Sequence, residues 1–139
     1  MKKIINYFFC FITIFSCLCS SVFATEGVGI STYANNTSSA STNFTIDSNG
    51  VANVRVSYYG IDNVTTHAVI TIKIQKRFLL VFWQDVDGAS WTDYATGEYY
   101  INSHSVSVKS GTYRVQVEYV IYGSGGEADT ITDTIEATY

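Results

Sequence analysis

The chain contains no proline, and its three cysteines, Cys10, Cys17 and Cys19, all sit near its start. Without proline, exposed strand edges must be protected by charges and bulges instead. If the start is removed, neither a disulfide nor a structural Cys–His zinc site can brace the remainder, which must fold by packing alone. Charged residues make up only 14% of the chain. No long helical period follows the first segment, and no apolar run reaches the roughly 20 residues that a membrane-spanning helix needs.

The start reads as an export signal. Lys2 and Lys3 precede a nearly unbroken apolar stretch from Ile4 to Phe15, about the length of a signal-peptide core. Val22-Phe23-Ala24 then offers a cleavage box, with the cut expected between Ala24 and Thr25. A lipid-modified Cys17 is the less favoured alternative, because bulky Phe15 stands where the lipoprotein box wants a small side chain. The expected organisation is a helical signal peptide at 1–24, a flexible Ser/Thr/Asn-rich linker at 25–42 and a β-sandwich domain at 43–139. Removing 24 of the 139 residues leaves 115. A domain of that size buries roughly two-thirds of its unfolded surface, enough for an unassisted core.

Taking Lys2 and Lys3 away from the eight Lys and Arg leaves six against twelve Asp and Glu, a net charge of −6. That balance argues against nucleic acid as a partner, because phosphate recognition needs clustered cations. It argues equally against an anionic membrane as a default partner, and no stable membrane insertion is expected after cleavage. Lys73, Lys76 and Arg77 do come close together, and at the end of one strand they read as a solvated edge.

Period-two alternation dominates the remainder. Phe44 and Ile46 open a strand that ends at Ser48-Asn49-Gly50, a hairpin signal because Asn and Gly tolerate positive φ. Val54, Val56 and Tyr58 form a second inward set, and Ala68, Ile70, Ile72 and Ile74 a third. Phe78 to Gln84 is an apolar run short enough for a buried strand, which Asp87-Gly88 is expected to turn back toward Trp91. Further strands are expected over 98–108, 113–121 and 130–138. In the last, Asp133 falls on the apolar face, where an inward carboxylate discourages edge pairing. Seven strands bounded by turn residues predict an all-β fold, an antiparallel β-sandwich of immunoglobulin-like architecture. Lys109-Ser110-Gly111-Thr112-Tyr113 resembles the corner in which a tyrosine hydroxyl of such folds caps the backbone just upstream.

Four segments also resemble a family of small secreted proteins from Gram-positive Firmicutes whose function is uncharacterised. They are Ile72-Lys73-Ile74-Gln75-Lys76, Trp83-x-x-Val86-Asp87-Gly88, Ser110-Gly111-Thr112-Tyr113-Arg114-Val115 and Ala128-Asp129-Thr130-Ile131. The resemblance implies a secreted β domain and assigns no functional residue.

No catalytic residue stands out. There is no Gly-x-Ser-x-Gly elbow, and His67 and His104 lack a neighbouring Asp or Glu in a ligand pattern. Asp85 and Asp87 are the candidates for a metal, with Asp93 and Glu98 further along. Calcium takes about six to eight oxygen ligands, and Asp85-x-Asp87-Gly88 is only a fragment of a calcium loop, so no cofactor is expected. The aromatics are the more telling set. A two-residue hairpin at Asp87-Gly88 pairs Trp91 with Gln84 and sends Trp83 and Trp91 to opposite faces. Trp91 near Tyr94, Tyr99 and Tyr100 would then form a stacking platform for a surface glycan or a protein partner. The expectation is a secreted, non-catalytic extracellular binding module. The alternative is a secreted antimicrobial or toxin-like effector, and a small transmembrane barrel is disfavoured by Arg55, Lys73 and Asp133 within strands.

Overall fold

A computed structural model describes residues 34–139 apart from residue 80. The expected signal peptide, the Ala24–Thr25 junction and residues 25–33 lie outside the described residues. Alternating apolar side chains along the rest build seven strands: β1 (Thr37–Ile46), β2 (Val51–Gly60), β3 (Thr65–Phe78), β4 (Phe82–Thr96), β5 (Tyr99–Ser107), β6 (Thr112–Gly123) and β7 (Asp129–Thr138). They pair antiparallel into a three-stranded sheet, β1-β2-β5, and a four-stranded sheet, β4-β3-β6-β7. The two sheets pack face to face as a β-sandwich. Hairpins join β1 to β2, β3 to β4 and β6 to β7, and the remaining connections pass between sheets.

The core is the set that alternation selects. Ile70, Ile72 and Ile74 of β3 are sealed from solvent, as are Val54, Val56 and Tyr58 of β2 and Val115, Tyr119 and Ile121 of β6. Each such side chain stabilises the fold by about 1.5–3 kcal/mol relative to exposure, and the described residues include no cysteine to supplement them. The Tyr119 hydroxyl donates to the Ser41 carbonyl at 2.9 Å and accepts from the Thr42 hydroxyl at 2.8 Å, tying the middle of one sheet to β1 of the other. The Tyr113 hydroxyl reaches back to the Lys109 carbonyl at 2.6 Å and fixes the entry to β6.

The first turn behaves as its residues require. Asp47 Oδ1 accepts from the backbone amides of Asn49 and Val51, both at 2.9 Å. Gly50 adopts φ 74° so close to the Val108 carbonyl that a Cβ would meet that oxygen at 2.7 Å. Asp133 points inward from β7, an edge strand, and one of its buried carboxylate oxygens has no hydrogen-bond partner.

Three sequence-based expectations are corrected. Residues 37–42 are not linker but the first part of β1, with Thr37, Ala40 and Thr42 buried. Small polar side chains suit this edge strand, and the chain before it is anchored. Asn35 and Asn36 donate their backbone amides to the two oxygens of Asp129, each at 2.8 Å, and the Asn36 side chain bonds the Glu127 carbonyl at 2.8 Å. Second, the run beginning at Phe78 is not a buried strand but the tip of the β3–β4 hairpin, and Phe78 pairs with Phe82 across the reversal. Third, Asp87-Gly88 is not a hairpin turn. It lies in a bulge within β4, where Val86 to Ala89 stand opposite Ile74 alone, and the φ of 71° at Gly88 serves that bulge.

Burial pushes the Tyr119 hydroxyl up to about 12 from the ordinary 10.0. This contribution is fully present below pH 10, where both folded and unfolded chains keep the proton. It is lost as pH rises toward 12, because only the unfolded chain ionises there. Urea unfolding followed from pH 9 to 12 should therefore show a loss of about 2–3 kcal/mol from this group. Tyr119→Phe should flatten that slope while lowering stability at neutral pH.

Candidate functional site

The β3–β4 hairpin outruns its neighbours. Pairing of β3 with β6 ends at Lys76 opposite Tyr113, and the hairpin continues alone through Arg77–Trp83 and Phe78–Phe82. At its tip Phe78, Leu79, Val81 and Phe82 are 56%, 69%, 71% and 63% exposed. A soluble surface rarely gathers large apolar side chains in this way unless they meet something. Leu79 also holds a left-handed φ of 47°, a conformation that costs a leucine about 1–2 kcal/mol and would suit Gly or Asn better. A side chain kept there against the backbone preference points to use of the side chain.

The base of the hairpin is cross-braced on the outer face of the four-stranded sheet. Trp83 lies against two guanidinium groups, Arg77 at 4.8 Å and Arg114 at 4.5 Å from its ring centre. Arg77 pairs with Glu136 of β7 at 2.6 Å. Arg114 Nε donates to Gln75 Oε1 at 2.8 Å, and Gln75 Nε2 donates to Asp85 at 2.7 Å. Lys73 completes the set on Asp85 at 3.2 Å. The Gln75 hydrogen bond first, then Lys73, holds the Asp85 carboxyl below the usual carboxylate range. A ladder of four strands thus fixes the direction in which the apolar tip projects.

A second cluster closes the seam between the sheets where β4 faces β5. Asp93 is 8% exposed, and His104 Nε2 donates to its carboxylate at 3.0 Å. Asn102 Nδ2 adds a donor at 3.1 Å, and Trp91 stacks on the His104 ring at 4.8 Å. Burial first, and then the Asp93 charge, raise the Tyr100 hydroxyl above its ordinary value. Asp93 and His104 are turned upon one another, which is a way of satisfying buried polar groups.

The four aromatics expected to share one platform do not meet. Strand alternation sends Tyr99 outward and Tyr100 inward, where Tyr100 stacks on Tyr58 at 6.3 Å. Tyr99 instead meets Tyr59 on the outer face of the three-stranded sheet, with ring centres 4.8 Å apart and the planes tilted by 38°. Tyr94 is 79% exposed on the outer face of the other sheet, and Trp91 faces inward onto His104. Trp83 and Trp91 do fall on opposite faces, but through the bulge, whose three surplus residues invert the alternation. Asp85 is engaged by Lys73 and Gln75, while Asp87 lines a shallow groove of about 300 Å³ with Lys76, Lys109 and Tyr113. Among the described residues, no three His, Cys, Asp or Glu side chains gather as a metal would require.

Two features were missed at the level of sequence. The partnership of His104 with Asp93 was hidden because the residues lie on different strands. Its one signal was that Tyr100, Asn102 and His104 share an inward-facing period with Val106. A short apolar run carries no sign of which side faces water, so the sequence suggests a buried strand where the structure has the exposed tip. The chain matches no known protein family and no curated protein sequence.

His104→Ala leaves the buried Asp93 carboxylate short of its principal donor and removes the Trp91 stack. Urea denaturation should register a loss of about 1–3 kcal/mol. A loss below about 0.5 kcal/mol, within the range of ordinary surface substitutions, would deny the cluster its structural role.

Proposed function

We propose that the chain is a secreted, non-catalytic binding module that meets its partner through the β3–β4 hairpin. The observation that carries this reading is the exposed apolar tip, Phe78, Leu79, Val81 and Phe82, held on a cross-braced base. Secretion rests on the Lys2-Lys3 and Ile4–Phe15 pattern of the sequence. The order of strands and the bond from Tyr113 to Lys109 support an immunoglobulin-like descriptor for the sandwich, an architecture whose loops commonly carry recognition. The mutual engagement of Asp93 and His104 under Trp91 supports the non-catalytic part. Tyr59 and Tyr99, in tilted contact and half exposed on the other sheet, are a further aromatic surface on which a sugar ring could rest.

The second reading, an effector that acts on other cells, draws on the same hairpin, because an apolar tip can engage a foreign surface as well as a partner of the producing cell. Residues 25–139 contain every strand of the sandwich and are suited to a binding screen against whole cells, cell-wall glycans and host glycans. A Phe82→Ser variant should lose at least about tenfold in affinity, the equivalent of one buried aromatic contact. Tyr99→Ala should leave binding intact. The reverse pattern would move the contact to the tyrosine pair. Growth inhibition by the purified protein, lost in the same hairpin variant, would select the effector reading.

A further inference from the structure

We infer that the occupant of the hairpin tip is a lipid surface bearing anionic headgroups, into which the tip dips while the sandwich stays in water. The inference rests on the reading of the hairpin as the contact surface and adds the chemical class of what it contacts.

The first argument is depth. Phe78 lies two strand residues beyond the last β3–β6 pair at Lys76, which at about 3.3 Å per residue is roughly 7 Å, and the turn adds a few more. Peripheral apolar elements bury themselves by about 5–10 Å at the boundary between headgroups and acyl chains. The hairpin is long enough to reach that depth and too short to cross. Such dipping needs no stable insertion, but it departs from the expectation that the acidic balance of the chain sets against an anionic membrane.

The second argument is the order of chemistry along the hairpin. Phe78, Leu79, Val81 and Phe82 occupy the tip. Trp83 follows immediately, the residue type that prefers the interface, with its indole between Arg77 and Arg114. Lys76 comes next, placed over the Tyr113 ring at 5.5 Å. Apolar residues, then an amphipathic aromatic, then cations is the sequence met on passing from acyl chains to phosphate.

The third argument is charge complementarity. Lys73, Lys76, Arg77, Lys109 and Arg114 all lie in the half of the sandwich that carries the hairpin, and from Thr25 onward only Arg55 lies elsewhere. Among the described residues, Arg77 is paired with Glu136 and Lys73 with Asp85, while Lys76, Lys109 and Arg114 make no salt bridge. The opposite end carries Asp62, Glu98, Glu127 and Asp129 and no Lys or Arg. The hairpin half also holds Asp47, Asp85, Asp87 and Glu136, so its five cations outnumber four carboxylates. The opposite end has carboxylates alone, a difference that turns the tip toward an anionic surface.

The test is sedimentation of residues 25–139 with vesicles of phosphatidylcholine containing phosphatidylglycerol, against phosphatidylcholine alone. A Trp91→Phe background leaves Trp83 as the sole tryptophan, whose emission should shift to the blue on binding. Leu79→Asn is the decisive variant, because asparagine accepts the left-handed backbone there and the fold is preserved. It should reduce vesicle partitioning about tenfold without lowering the thermal midpoint. Lys76→Gln with Lys109→Gln should remove the preference for phosphatidylglycerol, by about fivefold for each cation. Failure of the unmodified protein to bind either vesicle would overturn the lipid assignment. Hairpin-dependent binding to cells or glycans would in that case leave the contact surface standing. Loss of that binding as well would remove both. Hairpin-dependent self-association without vesicle binding would replace the lipid with a second copy of the chain.

Discussion

The interruption of the β3–β4 ladder between Lys73 and Gln75 is the constraint on which the arrangement depends. On one side of it Lys73 faces Ser90 and Ile72 faces Trp91; on the other Gln75 faces Asp85 and Arg77 faces Trp83. The surplus in β4 is an odd number of residues, so the alternation of inward and outward side chains inverts across the bulge. Below it, Ala89, Trp91, Asp93 and Ala95 turn toward the core and supply the seam cluster with His104. Above it, Trp83 turns outward to lie between two arginines. The same break allows β3 and β4 to run on beyond β6 and carry the apolar tip clear of the sandwich.

Among the described residues no cysteine is present to cross-link this frame. Its stability comes from the Ile70, Ile72 and Ile74 row against the valines of β2 and β6, closed at the corners by polar contacts. Tyr113 secures the entry to β6, Tyr119 links the sheets through Ser41 and Thr42, and Asp129 anchors Asn35 and Asn36. Each of these satisfies backbone groups that would otherwise be buried unpaired. The exceptions are the Thr37 hydroxyl and one carboxyl oxygen of Asp133, buried without partners, and the inward carboxyl on edge strand β7 discourages pairing with another chain.

Much of this was legible in the sequence. The seven strands, the Asn49-Gly50 turn, the inward sets of β2, β3 and β6 and the Tyr113 corner follow from period-two patterning and turn chemistry, which are local. The reversal between β3 and β4 was not legible, because two reversals compete for the same segment. Asp87-Gly88 has the better local turn chemistry, whereas the turn after Phe78 places Leu79 at positive φ in spite of its type. The long-range register with β6, which holds Lys76 opposite Tyr113 and Gln75 opposite Arg114, decides between them. The start of β1 was hidden for a related reason. Thr37, Ala40 and Thr42 look like linker residues until Tyr119 meets Thr42 and Asp129 anchors Asn35 and Asn36 just before the strand, both from far along the chain.

The central claim is that the chain reverses between Phe78 and Phe82 and leaves the apolar tip in solvent, with the bulge further along β4. Cross-strand proton–proton contacts measured by NMR test it most directly. The structure predicts contacts between Phe78 and Phe82, between Arg77 and Trp83, and between Ile72 and Trp91 in the same molecule. Contacts between Gln84 and Trp91, the pair that a reversal at Asp87-Gly88 would create, would contradict the account. They would return residues 78–84 to the body of a strand.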